Sequence, residues 1–186
     1  MKSRLVCFLL CFSLVSAIPS QAKKKLPDAC GDEKVNFDVN IEKDQPAPPA
    51  IEPGKGQIIF IETTETALGC RMLTLSSCDP TIRFGLDGAW AGATRGNSYF
   101  AVSVNPGAHD LCAVLGKGIG AETVNVEAGK AYYYYARFTV EKETRHVTVS
   151  QTESSASKSL DFIIVDEKQG SDLVKDSRLS TSKPKK

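Results

Sequence analysis

Histidine is nearly absent from this 186-residue chain: His109 and His146 are the only two. A Ser-His-Asp or Cys-His arrangement would have to use one of them, and neither stands in a nucleophile motif. His109 and Asp110 are adjacent in a predicted strand, so their side chains leave on opposite faces and form no dyad. CxxC, CxxCH and HExxH spacings are missing. The stretch GKGIG, Gly116 to Gly120, has the glycines of a phosphate loop without its Lys-Ser/Thr ending, and reads as a hairpin turn. No cofactor is called for, and a hydrolytic site, the alternative reading, would have to be built around His109 or His146 without a local signature.

Long apolar runs are also lacking. The longest, Leu5 to Ala17, is 13 residues and follows Lys2 and Arg4, short of the roughly 20 that a membrane-spanning helix needs. With Ser20 and Ala22 behind it, the segment 1–22 reads as a secretory signal peptide. Export to the periplasm or the extracellular space, with no transmembrane segment after cleavage, is the expectation. Helical periodicity is likewise absent, with one exception at Asp166 to Ser177, where a short helix is predicted despite Gly170.

A large net charge of either sign is missing. Without the signal peptide the formal charge falls from +1 to −1, and six lysines at the two ends leave the part between at about −7. An acidic body repels nucleic acid and anionic lipid. Partners are therefore expected among proteins or envelope glycans, with nucleic acid excluded.

Four cysteines remain beyond the signal peptide: Cys30, Cys70, Cys78 and Cys112. An even number in an exported chain reads as two disulfides with three possible connectivities. The favoured pairing joins Cys70 to Cys78 in a local loop and Cys30 to Cys112 across the chain, contributing about 2.6 and 4.5 kcal/mol by loop entropy. A zinc site using His109 with the thiols is the rival, but seven residues separate Cys70 from Cys78, wider than zinc pairs usually are.

What the chain does have is short alternating segments divided by turn residues. Residues 23–55 form a polar arm with the proline cluster QPAPPAIEPG, ahead of which VNFDVNI, Val35 to Ile41, alternates like a strand. QIIFIET, Gln57 to Thr63, is apolar on both parities, as a strand buried on both faces would be. TIRFGLDGAWAG reads as a hairpin on Asp87-Gly88, with Leu86 opposite Ala89 and Gly85 opposite Trp90. A ring opposite a strand glycine covers bare backbone, and the competing role for Trp90 is ligand stacking. A second hairpin is predicted to turn at Asn105-Pro106-Gly107, with Phe100, Val102 and Val104 on one face and Leu111, Ala113 and Leu115 on another.

Further strands are read at Thr123 to Val126, at AYYYYARF, at TRHVTVSQ after a turn at Glu141 to Thr144, and at SLDFIIVD. The resulting class is all-β: a single antiparallel β-sandwich, immunoglobulin-like or transthyretin-like, over residues 56–175, with a short C-terminal helix or tail and a disordered lysine-rich segment at 176–186.

The four consecutive tyrosines divide by strand parity. Tyr132 and Tyr134 share a face with Ala136, Phe138 and Val140 and belong to the core; Tyr133 and Tyr135 share one with Arg137 and Thr139 and belong outside. Tyr133, Tyr135 and Arg137, joined by His146, form the first candidate binding surface, and the loop around Trp90 the second. Ordinary strand preference, or burial of the tyrosines beneath the C-terminal segment, would give the same pattern.

Laid out in this order, QIIFIE, LDGAWAGATRGNSYFAVSVNPGAHDLCA, EAGKAYYYYARF and IIVDEKQGSDL resemble the bacterial exported family termed domain of unknown function 2846, across Gly56 to about Leu173. The resemblance implies a sandwich fold and export; it carries no activity and no catalytic residue. The CRMLTLSSC loop and the proline-rich arm depart from it. A non-catalytic binding or structural module of the envelope or extracellular space is the functional expectation.

Overall fold

The computed structural model describes residues 25–43, 47–63, 81–148 and 151–185, with the backbone alone for 138–148 and 151–159. Residues 1–22, expected to be a signal peptide, Cys70 and Cys78 with their expected pairing, and the side chain of His146 lie outside the described residues.

Among the described residues ten strands and one helix follow in order: β1 (Phe37–Ile41), β2 (Gly56–Glu62), β3 (Thr81–Leu86), β4 (Ala89–Arg95), β5 (Ser98–Val104), β6 (Gly107–Leu115), β7 (Gly118–Val126), β8 (Ala131–Thr148), β9 (Gln151–Val165), α1 (Glu167–Lys175) and β10 (Arg178–Pro184). They form two sheets, β1-β10-β5-β2-β8-β9 and β4-β3-β6-β7. The molecule is an all-β sandwich. Its smaller sheet is antiparallel, as expected, but the larger is mixed, because β2 runs parallel to β8 and β10 parallel to β5.

Alternation explains the core. Ile58 and Phe60 of β2 point between the sheets and meet Phe84, Phe100, Tyr134 and Phe162, while Ile59 and Ile61 point outward to pack with Tyr99 and Val174. The phenylalanine rings lie 4.9 to 6.4 Å from the ring of Phe60, within the contact range of aromatic pairs. The strand read as buried on both faces is buried on both.

The Asp87-Gly88 turn has φ of 52° and 86°, the paired positive values of a two-residue hairpin. It sets Gly85 opposite Trp90 and Leu86 opposite Ala89, as the turn length predicts. At Asn105 to Gly107 the outcome differs. The flanking strands are not a hairpin, since β5 pairs with β2 and β10, and β6 with β3 and β7. Both predicted apolar faces are correct, yet they approach the core from opposite sheets, a choice that alternation leaves open.

Two more expectations are overturned. No turn falls at Glu141 to Thr144; β8 continues to Thr148 and pairs with β9 in one long hairpin that sets Phe138 opposite Leu160 and His146 opposite Thr152. The stretch beyond Ser177, expected to be a disordered tail, is β10, which lies between β1 and β5. RLSTSKP alternates, and Ser180 is buried with its hydroxyl donating to the Tyr99 carbonyl at 3.1 Å. The predicted helix does form, with the Asp166 side chain capping it at the Gln169 N–H, 2.8 Å away. Among the described residues no helix is long and apolar enough to cross a membrane.

Candidate functional site

The tyrosine strand sits beside β2, at the centre of the larger sheet. Tyr134 is buried in the core, and burial, followed by the charges of Glu122 and Tyr132, pushes its hydroxyl pKa up to about 12. Tyr132 is half-buried against the same core, and its hydroxyl accepts from the Glu127 N–H at 3.0 Å. Tyr133 and Tyr135 do lie on the opposite face, as parity requires. That face is not open. Helix α1 crosses it through Gly170, where an added Cβ would come within 2.1 Å of the Tyr133 ring. Tyr133 packs with Ile59, Ile61, Tyr99 and Val174. Tyr135 is only 8% exposed, with its hydroxyl 2.9 Å from Thr63 Oγ1. Among the described side chains of the first candidate surface, Arg137 alone is exposed, and it pairs with Asp161 at 3.1 Å. The helix and its glycine turned a predicted ligand face into a second hydrophobic layer.

Trp90 is covered in a comparable way from the opposite side. A disulfide joins Cys30 to Cys112, with Cα atoms 5.6 Å apart, and pins the N-terminal arm across β3, β4 and β6. The Trp90 indole N–H donates to the Asp32 carbonyl at 2.8 Å, and the Arg83 guanidinium lies 4.6 Å from the indole ring. Arg83 also donates to the Glu33 and Val35 carbonyls at 2.9 and 2.7 Å. Gly85 is required here, since a Cβ would come within 2.7 Å of Cys112 Sγ and of the Ala29 carbonyl. The glycine opposite Trp90 therefore makes room for the disulfide. Trp90 is half-buried against the cluster of Ala29, Cys30, Cys112 and Val114, and a Cβ on Gly31 would come within 2.4 Å of its ring. The arm encloses only a shallow groove of about 260 Å³, lined by Lys25 to Asp28, Cys30, Gly31 and Glu33.

His109 is built into a turn clamp. Its Nδ1 lies 2.6 Å from Asp87 Oδ2 and its Nε2 2.8 Å from the Asn105 carbonyl. Asp87 also accepts from the Asp110 N–H at 2.9 Å, and Asp110 accepts from Thr123 at 2.7 Å. His109 and Asp110 point to opposite faces, so the pairing is with Asp87 across the hairpin. Burial opposes a charge on His109, but the Asn105 carbonyl and the Asp87 carboxylate outweigh it and raise the imidazole pKa. The Asp87 carboxyl is also opposed by burial, and the contacts with His109 and the Asp110 N–H lower its pKa. Two acceptors face the two ring nitrogens, an arrangement that suits the protonated ring and engages both nitrogens within the turn. Among the described residues no three His, Cys, Asp or Glu side chains are grouped to hold a metal.

What stays uncovered is the strand next to the tyrosines. Ile163 and Ile164 of β9, opposite Tyr135 and Tyr134, are 44% and 56% exposed, the large exposed hydrophobics among the described residues. They leave the strand on opposite faces, and β9 is the last strand of its sheet. Sequence reasoning passed over them because IIV at Ile163 to Val165 has the same both-face apolar pattern as QIIFI; composition does not say which strand is central and which is the edge. The chain matches no family model, no curated protein and no solved structure.

Proposed function

We propose that this protein is an exported, non-catalytic β-sandwich that binds another polypeptide along the edge of β9. The observation that carries the reading is the exposure of Ile163 and Ile164 on a terminal strand, while Tyr133, Tyr135 and Trp90 are covered by other parts of the chain. An edge strand offers a row of backbone donors and acceptors, and apolar side chains on its two faces add affinity for an incoming strand. A glycan surface would need open aromatic rings, so the chemistry favours protein over sugar. The Cys30–Cys112 disulfide suits an oxidising compartment, in keeping with the N-terminal signal pattern. With both nitrogens of His109 engaged in a turn, a structural role for that residue fits better than a hydrolytic one.

The test is retention of envelope and extracellular proteins on the immobilised, oxidised chain. The double substitution Ile163→Asp, Ile164→Asp abolishes specific retention while leaving the fold intact, because about half of each side chain is already in solvent. Retention of the same proteins by the double variant would refute the reading.

A further inference from the structure

We infer that the polypeptide bound along β9 is a second copy of this chain, joined β9 to β9 in antiparallel fashion about a two-fold axis at Ser159. The inference rests on the binding role proposed for the β9 edge and names its partner.

The backbone places a long ribbon there. β2 pairs with β8 only as far as Ala136, whereas β8 and β9 stay paired from Tyr133 opposite Val165 to Thr148 opposite Gln151. Among the described residues, 137–148 of β8 pair with β9 alone, a ribbon on the order of 40 Å at strand rise. Two-stranded ribbons are marginal in water, and one of this length gains most from further strands.

Among the described residues each of the other terminal strands is short, bulged or covered, whereas β9 is long and unbulged. β1 has five residues. β4 is bulged, and its Ala93 N–H is taken by Ser182 Oγ at 2.9 Å. β7 begins with Gly118 and Gly120, packed against Leu160 and Phe162. β9 has no proline, glycine or bulge between Thr152 and Val165, which leaves it the edge most open to pairing.

Charge selects the occupant. The body of the chain is acidic, but in residues 139–159 Glu141, Glu143 and Glu153 balance Lys142, Arg145 and Lys158. Two neutral ribbons can meet while their acidic bodies stay at opposite ends. An isologous contact also supplies all of its groups from one surface. Register then narrows. An axis at Lys158 sets two lysines opposite each other, one at Ser157 sets Asp161 opposite Glu153, and one at Asp161 opposes two aspartates. An axis at Ser159 opposes no like charges and brings positions 155 and 154 of the second copy opposite Ile163 and Ile164 in register.

Sedimentation of the oxidised full-length mature chain reads the result. The expected mass is that of two chains, dissociating on dilution and reduced to one chain by Ile163→Asp, Ile164→Asp. Ser159→Cys, placed on the axis, forms an intermolecular disulfide at least about tenfold faster than Lys117→Cys in the β6-β7 turn, because pairing raises the local thiol concentration. A single-chain mass at every concentration, or equal crosslinking at the two positions, would overturn self-pairing. If the single-chain protein still loses a retained protein on substitution of the isoleucines, self-pairing fails while the β9 binding role stands.

Discussion

His109 shows how one side chain can look like chemistry in a sequence and act as a fastener in the fold. It ties the Asp87 turn to Asn105, at the point where the chain passes from one sheet to the other. The sign of its pH dependence follows from the shifts. A raised folded pKa means that the contribution of His109 is fully present below the unfolded value near 6.5 and fades as pH rises through the folded value. The lowered Asp87 pKa means that its contribution is present above 3.8 and is lost as pH falls through the folded value. Replacing His109 by Asn is expected to cost about 1 kcal/mol at pH 5 to 6, with the difference from wild type shrinking toward pH 9 in urea titrations. A pH-independent difference would show that the imidazolium plays no part.

At the scale of elements, the chain is legible wherever a local rule decides. Asp87-Gly88 fixed a turn type and a register; QIIFI announced a strand covered on both sides; parity divided the tyrosines correctly; the stretch Asp166 to Ser177 announced a short helix. What stayed illegible was which element covers which. Gly170 looks like a flaw in a short helix until Tyr133 is seen beneath it, and RLSTSKP looks like a tail because its side chains are small and polar. Serines can fill a strand wedged between β1 and β5, where Ser180 and Ser182 bond to backbone groups of Tyr99 and Ala93. Truncation after Ser177 is therefore predicted to strip β1 of its partner, expose the β5 edge and lower the thermal midpoint by several degrees, about 2 kcal/mol or more. An unchanged midpoint would restore the tail.

On the scale of the whole molecule, each outer face of the sandwich carries a cover drawn from one end of the chain. The N-terminal arm, held by the Cys30–Cys112 disulfide, lies over Trp90 and Gly85; helix α1 lies over Tyr133. The strands following these covers, β1 and β10, then pair with each other. This closure removes both surfaces that the aromatic residues suggested and leaves the β9 edge with Ile163 and Ile164. Amide hydrogen exchange, compared between the dilute chain and the chain bound to its partner, tests that conclusion most directly. New protection is predicted at residues 160–165, with none added at 133–136, which are already paired on both sides. Protection that instead appeared around Trp90 and the arm, with β9 unchanged, would contradict it.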